Sequence, residues 1–399
     1  MSLAHGRSYL AIPGPSVMPD RVLQAMHTAA PNIYAGELVD MMPGIMSGLK
    51  NVARTRHFAT IYIANGHGAW EAALSNVLAP GDKVLSLCTG RFGHGWAEMA
   101  CSLGATPQVM DFGNATPVDA AHVAAVLRED HNHEIKAVLA THVDTSSSVK
   151  NDIAAIRAAM DHADHPALLM ADCIASFGAE RFEMDAWGVD VMVGASQKGM
   201  MVPPGLGFVF FNEKAVAARQ ELPRVSNYWD WEPRKNPDQL WQYFGGTPPT
   251  HHLYGLRAAL AMIEDEGGIE AVWARHEHLA RAIWATFDAW ANAGPVALNV
   301  ADRANRSCAV TSVGIGAPNG LRLREWCEAK MGVTLGIGLG MGTDEDPDST
   351  GFFRLGHMGH VNAHMVMGAL SAIEAGLTAL NIPHGEGALE AMAKVMAEA

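Results

Sequence analysis

Short apolar runs alternate with longer amphipathic stretches through the first two-thirds of the chain. Six short runs are bounded by Gly, Pro, Asp or Asn and predict strands. They are residues 57–64, 83–87, 135–142, 167–173, 189–196 and 207–211. Helical periodicity predicts helices between several of them, over residues 69–78, 93–104, 118–130 and 153–163. Because the strands are apolar on both faces, this rhythm predicts a mostly parallel sheet covered by helices.

The pattern changes after about residue 250. A long helical region covers residues 253–294 and is followed by a strand-like run, a helix, a Gly-rich loop over 335–351 and two closing helices. A single core stops growing near ~250–300 residues, so a chain of 399 residues is expected to divide. We predict an N-terminal arm over residues 1–13, a large domain over 14–266 and a smaller α+β domain over 267–399.

Composition and charge exclude several classes of protein. The net charge of −14 argues against non-specific nucleic-acid binding, which needs Lys and Arg to neutralise phosphates. The first residues lack the apolar core of a signal peptide, and no apolar run reaches the ~18 residues of a membrane span. Five scattered cysteines without CxxC spacing indicate reduced thiols. A cytoplasmic protein without nucleic-acid or membrane partners is expected.

A Gly66-His67-Gly68 turn lies between a predicted strand and a predicted helix. Free backbone N–H groups at such a helix N-terminus suit a phosphate, although a flexible connecting turn explains the same residues. The chain contains neither GxxxxGK[ST] nor a GxGxxG following a strand. A phosphate bound here would therefore belong neither to a P-loop nucleotide nor to a Rossmann dinucleotide.

An acid and a lysine follow two neighbouring predicted strands. Asp172 ends one apolar strand, and Lys198 follows the next within "GASQKGMMVPPG". Adjacent parallel strands would bring both side chains to the edge of the sheet where ligands of open α/β sheets bind. Pyridoxal phosphate needs this set: a lysine for its aldehyde, an acid for its ring nitrogen and a turn for its phosphate.

Two further features of the C-terminal region leave alternatives open. His357, His360 and His364 could suggest a metal, and the last two could share a helix face. However, Cys or carboxylate ligands are missing, so no metal is predicted. Arg354 lies in an apolar strand-like run and therefore needs an anionic partner, which could be a structural carboxylate or that of a substrate.

Together these segments resemble the class V branch of the fold-type I aminotransferases that depend on pyridoxal 5'-phosphate, and in particular the alanine/serine–glyoxylate aminotransferase group. The likeness covers almost the whole chain. It rests on "PGPSVMPDRV", "NGHGAWEAAL", "CTGRFGHGW", "THVDTSSSVKND", "ADCIASFG", "GASQKGMMVPPGLGFV", "GTPPTHHLYGLRAAL" and "RLGHMG". It implies an α/β fold with a mostly parallel seven-stranded sheet in the large domain and a smaller C-terminal α+β domain.

The resemblance also implies a role for each matching residue. Lys198 would bind the cofactor covalently and Asp172 would hold its ring nitrogen, while Arg354 would bind the substrate α-carboxylate. The remaining cofactor contacts would come from Gly66, His67, Phe92, Thr145, Ile174, Gln197 and Thr247. Of these, Phe92 and Ile174 would cover the two faces of the ring. Thr247 would reach the phosphate in the neighbouring subunit, which implies a homodimer.

The implied reaction is ping-pong transamination from a small amino acid, such as alanine, serine or one like aspartate, to glyoxylate or pyruvate. The chain departs from the family pattern in the loop over residues 32–42 and at Phe244, where a phosphate-binding Tyr is common and Tyr243 could substitute. Pyridoxamine–pyruvate transamination is the closest alternative. A desulfurase would need a Cys in the Gly-rich loop, which has none. A lyase of this fold is a more distant alternative. A non-catalytic or regulatory protein of this fold is disfavoured by the presence of Asp172, Lys198 and Arg354 together.

Overall fold

The computed structural model describes all residues from 1 to 399 and contains two separate sheets. The strands are β1 Tyr9–Ala11, β2 Phe58–Ala64, β3 Lys83–Cys88, β4 Thr106–Asp111, β5 Ile135–Thr141, β6 Leu168–Asp172, β7 Val191–Ala195, β8 Gly205–Phe211, β9 Ala297–Leu298, β10 Val310–Gly314, β11 Val333–Ile337 and β12 Phe352–Gly356. The α-helices are α1 Asp20–Met26, α2 Glu37–Asp40, α3 Met42–Ala53, α4 Gly66–Ser75, α5 Arg91–Ser102, α6 Ala120–Glu129, α7 Ile153–His162, α8 Glu213–Glu221, α9 Leu240–Phe244, α10 Thr250–Asp265, α11 Ile269–Trp290, α12 Asn319–Trp326, α13 Ala363–Ala379 and α14 Ala388–Met396.

The larger sheet has seven strands in the order β2-β8-β7-β6-β5-β3-β4. Strand β8 runs antiparallel to both of its neighbours, and all other pairs are parallel. The predicted mostly parallel seven-stranded sheet is therefore confirmed, and each of the six predicted strands is present.

Helices cover both faces of this sheet, which explains why its strands are continuously apolar. Along β5, Val138 and Ala140 join the core on one face, whereas Ala137 and Leu139 join the core on the other. The second core contains helix α4 and the buried side chain of Trp70. Alternate residues of one strand thus serve two separate cores.

The smaller sheet has five strands in the order β1-β11-β12-β10-β9. Strand β1 pairs parallel with β11, so the start of the chain forms the edge of a sheet built otherwise from C-terminal strands. Helix α11 belongs to both units, because its first turns join the core of the larger sheet and its remainder joins that of the smaller one. The domain boundaries at residues 13 and 266 stay predictions.

Local structure differs from the sequence-based expectation in three places. Strand β4 lies at an exposed edge, and the sequence predicts no element there because it lacks an apolar pattern. The first residues of the predicted Gly-rich loop form β11 instead. The expectation that His360 and His364 share a helix face is wrong, since α13 begins at Ala363. None of the helices combines the length and the apolar character needed to cross a bilayer.

Candidate active site

The strand order of the larger sheet creates a crevice at the carboxyl ends of β3 and β5. The chain leaves β3 toward β4 on one side and continues from β5 toward β6 and β7 on the other. Such a reversal is where open α/β sheets bind ligands. The predicted residues follow the carboxyl ends of these strands, in α5, in residues 142–150, after β6 and after β7.

Lys198 lies in the turn between β7 and β8, and the N-terminal segment packs directly against it. Its Nζ donates a hydrogen bond to the carbonyl oxygen of Pro13. Gly14 has a φ of 101°, and a Cβ at this position would come within 2.5 Å of Nζ. Ser16 donates its hydroxyl to the carbonyl oxygen of Lys198 at 2.7 Å. The first residues of the chain therefore hold the lysine in place.

The amino group of Lys198 is held in a setting that disfavours its charged form. Burial lowers its pKa to about 8, the nearby charge of Arg354 lowers it as well, and Asp172 acts in the opposite direction. A pKa near 8 leaves a useful fraction of neutral amine close to neutral pH, which an ordinary lysine lacks.

Asp172 is the last residue of β6, and only 3% of its surface is exposed. Its Oδ1 accepts a hydrogen bond from the backbone N–H of Ile174 at 2.8 Å. Burial raises the pKa of this carboxyl to about 7, while the hydrogen bond from Ile174 and the charge of Lys198 favour the ionised form. No cationic nitrogen lies within 4.0 Å, so a positively charged ligand atom would find an unneutralised carboxylate here.

The Gly66-His67-Gly68 turn forms the first residues of α4. Asn65 caps this helix by accepting the N–H of Gly68 at 3.3 Å. A Cβ at Gly66 would come within 2.6 Å of Cδ1 of Ile174, so the turn and the segment after Asp172 are in direct contact. The ring of His67 packs edge-on against Trp70 at 4.8 Å. The predicted phosphate turn and the predicted ring-covering Ile174 therefore lie side by side.

Phe92 lies in the first turn of α5, on the other side of Trp70. The two rings meet edge to face with their centres 6.3 Å apart. The backbone N–H of Phe92 donates to Oδ2 of Asp144 at 2.8 Å. His67, Trp70 and Phe92 line a cavity of about 490 Å³ together with Arg91 and Gly340.

Arg354 extends from β12 toward residues 142–150, and 6% of its surface is exposed. Its Nε donates to the carbonyl oxygen of Ile337 at 2.7 Å, and Nη1 donates to that of Thr145 at 2.8 Å. No carboxylate oxygen lies within 4.0 Å, and Nη2 has no acceptor within the chain. The fold therefore places no structural carboxylate in contact with Arg354, and the charge of Asp144 acts on it only from a greater distance.

The remaining predicted residues lie in different settings. Thr145 is buried beside Arg354, and its hydroxyl makes no hydrogen bond within the chain. Gln197 keeps a buried Oε1 without a partner. Thr247 is exposed in the loop between α9 and α10. Phe244 packs in the core, whereas Tyr243 is half-buried beside it.

The C-terminal histidines do not gather. His357 is buried and bonds through Nε2 to the hydroxyl of Thr311 at 2.9 Å, and burial lowers its pKa to about 4. No group of three or more His, Cys, Asp or Glu side chains has the arrangement of a metal site.

Three residues outside the predicted set contribute to the site: Pro13, Trp70 and Asp144. The signal for Asp144 is the same as that for Asp172, since each carboxylate follows the carboxyl end of an apolar strand. Pro13 carries no local signal, because it meets Lys198 only through the pairing of β1 in the smaller sheet.

Comparison with known proteins identifies relatives over nearly the entire chain. The aminotransferase class-V family model matches residues 8–326. A serine–glyoxylate aminotransferase from Methylorubrum extorquens is 36% identical over 383 residues, which cover 93% of this chain and 91% of that protein. An L-aspartate–glyoxylate aminotransferase from Paracoccus denitrificans is 32% identical, with 93% and 91% covered.

A solved structure agrees with the fold described above. The pyridoxamine–pyruvate aminotransferase from Mesorhizobium loti superposes with a TM-score of 0.87 at 25% identity and covers 99% of each chain. The superposition covers both sheets, whereas the family match covers the larger sheet and the crevice at the ends of β3 and β5 but ends before β11 and β12.

Proposed function

Since this chain belongs to the class-V aminotransferase family, we propose that it transfers the amino group of a small amino acid to glyoxylate or pyruvate, with pyridoxal 5'-phosphate as cofactor. The names of the two relatives contain serine and L-aspartate respectively, and both names contain glyoxylate. This supports glyoxylate as the acceptor. The donor proposed here is alanine, serine or an amino acid like aspartate.

The observation that carries the proposal is the grouping of Lys198, Asp172 and Arg354. The charges of the other two residues both act on the amine of Lys198, so both lie within electrostatic reach of this amine. Neither Asp172 nor Arg354 has an oppositely charged partner within 4.0 Å. Buried charges are normally paired, so this arrangement favours a ligand that supplies both a cation and an anion.

The residues present fit pyridoxal phosphate. The buried Oε1 of Gln197 is an unused hydrogen-bonding atom, and the N-terminus of α4 at Gly66 and His67 offers free N–H groups to a phosphate. Asp172 would hold the protonated ring nitrogen and Thr145 would lie beside the ring oxygen. Phe92 and Ile174 would cover the two faces of the ring.

In this proposal each residue has a defined task. When bound, the cofactor supplies an electron sink for the electron pair left on the substrate Cα. Arg354 binds the substrate α-carboxylate and so fixes which Cα bond is aligned for cleavage. The neutral amine of Lys198 would take the proton from Cα as a base and, as the resulting ammonium acid, would deliver it to C4′ of the cofactor. Because donor and acceptor use the same groups in turn, the kinetics are ping-pong.

We also infer that the enzyme works as a homodimer. Thr247, the residue expected to reach the phosphate of a neighbouring subunit, is exposed, as is the nearby side chain of Trp241 at 57%. Tyr34, in the loop over residues 32–42, is exposed at 87%. Exposed aromatic side chains of this kind are frequent at interfaces between protein chains. All five cysteines are unpaired, which favours the cytoplasmic location.

The test combines spectroscopy with a substrate screen. The purified protein, supplied with pyridoxal phosphate, is expected to acquire a visible absorbance band and to transaminate small amino acids with glyoxylate or pyruvate. Lys198→Ala should abolish the covalently bound band and the activity, whereas Lys136→Ala, at an exposed lysine on β5, should change neither. Full activity in Lys198→Ala, or no band in the wild type, would contradict the proposal.

The superposition on a pyridoxamine–pyruvate aminotransferase supports one alternative, in which free pyridoxamine is the substrate. The free N–H groups at Gly66 and His67 favour the phosphorylated cofactor instead. An assay with pyridoxamine and pyruvate, run beside the amino-acid screen, separates the two functions.

A further inference from the structure

Asp144 is a carboxylate that the fold buries completely without a cationic partner. Its exposed fraction is 0%, and no Lys, Arg or His nitrogen lies within 4.0 Å. Its charge is balanced by four hydrogen bonds. Oδ2 accepts from the backbone N–H groups of Phe92 at 2.8 Å and Gly93 at 3.1 Å. Oδ1 accepts from Ser146 twice, from its N–H at 2.9 Å and its hydroxyl at 2.5 Å.

These bonds replace the missing cap of α5. The N-cap residue is Gly90, which has no side chain to accept the first free N–H groups of the helix. A Cβ there would come within 2.6 Å of Oδ1 of Asp144, so Gly90 leaves the space that the carboxylate occupies. The hydroxyl of Ser146 extends the cap by accepting the N–H of Arg91 at 3.0 Å. Asp144 therefore fixes the backbone that carries the ring of Phe92.

The other side of the same loop, residues 144–149, binds the C-terminal unit. Arg354 donates to the carbonyl oxygen of Thr145 at 2.8 Å. The backbone N–H of Ser312 donates to the hydroxyl of Ser148 at 3.1 Å, and Asn299 donates to the carbonyl oxygen of Ser147 at 2.8 Å. The loop is itself closed by a hydrogen bond from Asp144 N–H to the carbonyl oxygen of Val149 at 3.1 Å.

We propose that Asp144 is a positioning residue, which locks the helix carrying Phe92 and the loop that receives Arg354 into one rigid piece. The inference rests on the proposed function, since Phe92 is there assigned to the cofactor ring and Arg354 to the substrate carboxylate. Losing Asp144 would displace both groups together, although the residue touches neither ligand. A displacement of about 1 Å in such groups lowers turnover by about a hundredfold.

The test compares Asp144→Asn with Asp119→Asn. Asp119 is an exposed carboxylate that caps α6 through the N–H groups of Ala121 and His122. It makes the same kind of contact with a helix N-terminus but lies outside the site. For each variant, kcat and KM for the amino donor are measured, together with the visible circular dichroism of the bound cofactor. Hydrogen exchange of the first turn of α5 is measured in the cofactor-free protein.

Asp144→Asn should lower kcat at least about tenfold, raise KM for the amino donor, weaken the circular dichroism band and speed exchange at Phe92 and Gly93. Asp119→Asn should lower only the thermal midpoint. Ser146→Ala keeps the carboxylate but removes the hydroxyl that donates to Asp144 and accepts the N–H of Arg91, so it should show the same changes on a smaller scale. If Asp144→Asn does not fold, the Ser146→Ala variant provides the test instead.

The proposal is overturned if Asp144→Asn matches Asp119→Asn in kcat, KM, dichroism and exchange, or if the first variant does not fold and Ser146→Ala behaves as wild type. Failure of the proposed function looks different, because the wild type itself would then bind no cofactor or transfer no amino group. Exchange in the cofactor-free protein would still report whether Asp144 holds α5.

Discussion

The chain buries two arginines without a carboxylate partner, and their surroundings differ. Arg234 is 1% exposed and Arg354 is 6% exposed. Around Arg234, three hydrogen bonds run from the guanidinium to the carbonyl oxygens of Ile61, Tyr228 and Tyr243. The rings of Tyr62 and Tyr228 also lie 4.5 and 5.0 Å from its central carbon.

The guanidinium of Arg234 is thus enclosed by groups of its own chain. A Cβ at Gly245 would come within 2.6 Å of its Nη2, so the backbone packs closely against that nitrogen. Arg354 has only two carbonyl acceptors and no aromatic face, and one of its terminal nitrogens has no acceptor. The comparison teaches that burial alone does not mark a functional arginine. The terminal nitrogens differ, because both of those in Arg234 have acceptors within the chain and one of those in Arg354 has none.

The largest expected effect is that of the Arg354→Gln substitution on catalysis. If the free donors bind the substrate carboxylate, kcat/KM for the amino donor should fall by about 10³-fold, equivalent to about 4 kcal/mol, mainly through KM. Steady-state kinetics with the best donor from the screen measure this. An unchanged KM would mean that Arg354 resembles Arg234 in being structural.

The second largest expected effect is that of the Arg234→Met substitution on the stability of the protein. Three carbonyl oxygens would lose their donors in a buried place, so the free energy of unfolding should fall by about 3 kcal/mol. Urea denaturation measures it, and activity per folded molecule should stay close to wild type. Arg7→Met is the control, because Arg7 is 81% exposed and pairs only with Asp20. That change should cost less than about 1 kcal/mol. A clear loss of activity per folded molecule in Arg234→Met would mean that Arg234 is also functional and does not differ from Arg354 in this respect.

The smallest effect is on the ionisation of Lys198. The charge of Arg354 lowers the pKa of this lysine, so Arg354→Gln should raise it above about 8, whereas Arg234→Met should leave it unchanged. The pH dependence of labelling by an amine-reactive reagent in the cofactor-free protein measures this shift. In Arg354→Gln the rise in reactivity should begin at higher pH, because the ammonium form is no longer repelled. A shift in both variants would show that the effect is not local.

Most strands of the larger sheet could be predicted because burial on both faces requires a run of apolar residues, which is visible in the sequence. Each of the six is a continuous apolar run such as "VMVGA" in β7. Strand β4, "TPQVMD", lies at the edge and is mostly exposed, so its sequence has no apolar run. Strand β1 has three residues, and its pairing with β11 depends on the distant end of the chain.

The same distinction holds for the site. The proximity of Asp172 and Lys198 could be predicted from strand order alone. Asp172 ends β6 and Lys198 comes after β7, and these two strands are parallel neighbours in the sheet. The contact of Lys198 with Pro13 could not, because 185 residues separate them. Gly336 and Gly356 show the reason. A Cβ at either position would come within 2.7 Å of the segment Ile12–Pro13, which crosses the smaller sheet there. A glycine in the sequence does not reveal which distant segment lies against it.

The parallel pairing of β1 with β11 also sets the order in which the enzyme can become competent. Strands β2 to β8 are complete once residue 211 has been synthesised, and domains generally fold as they emerge from the ribosome. Strand β1 leaves the ribosome before any of them, yet it must wait for Val333–Ile337 before it can pair. Until then Pro13 has no fixed position and Lys198 lacks its carbonyl acceptor. A nascent chain can therefore hold the central sheet before Pro13 meets Lys198, and this contact is made only late in synthesis.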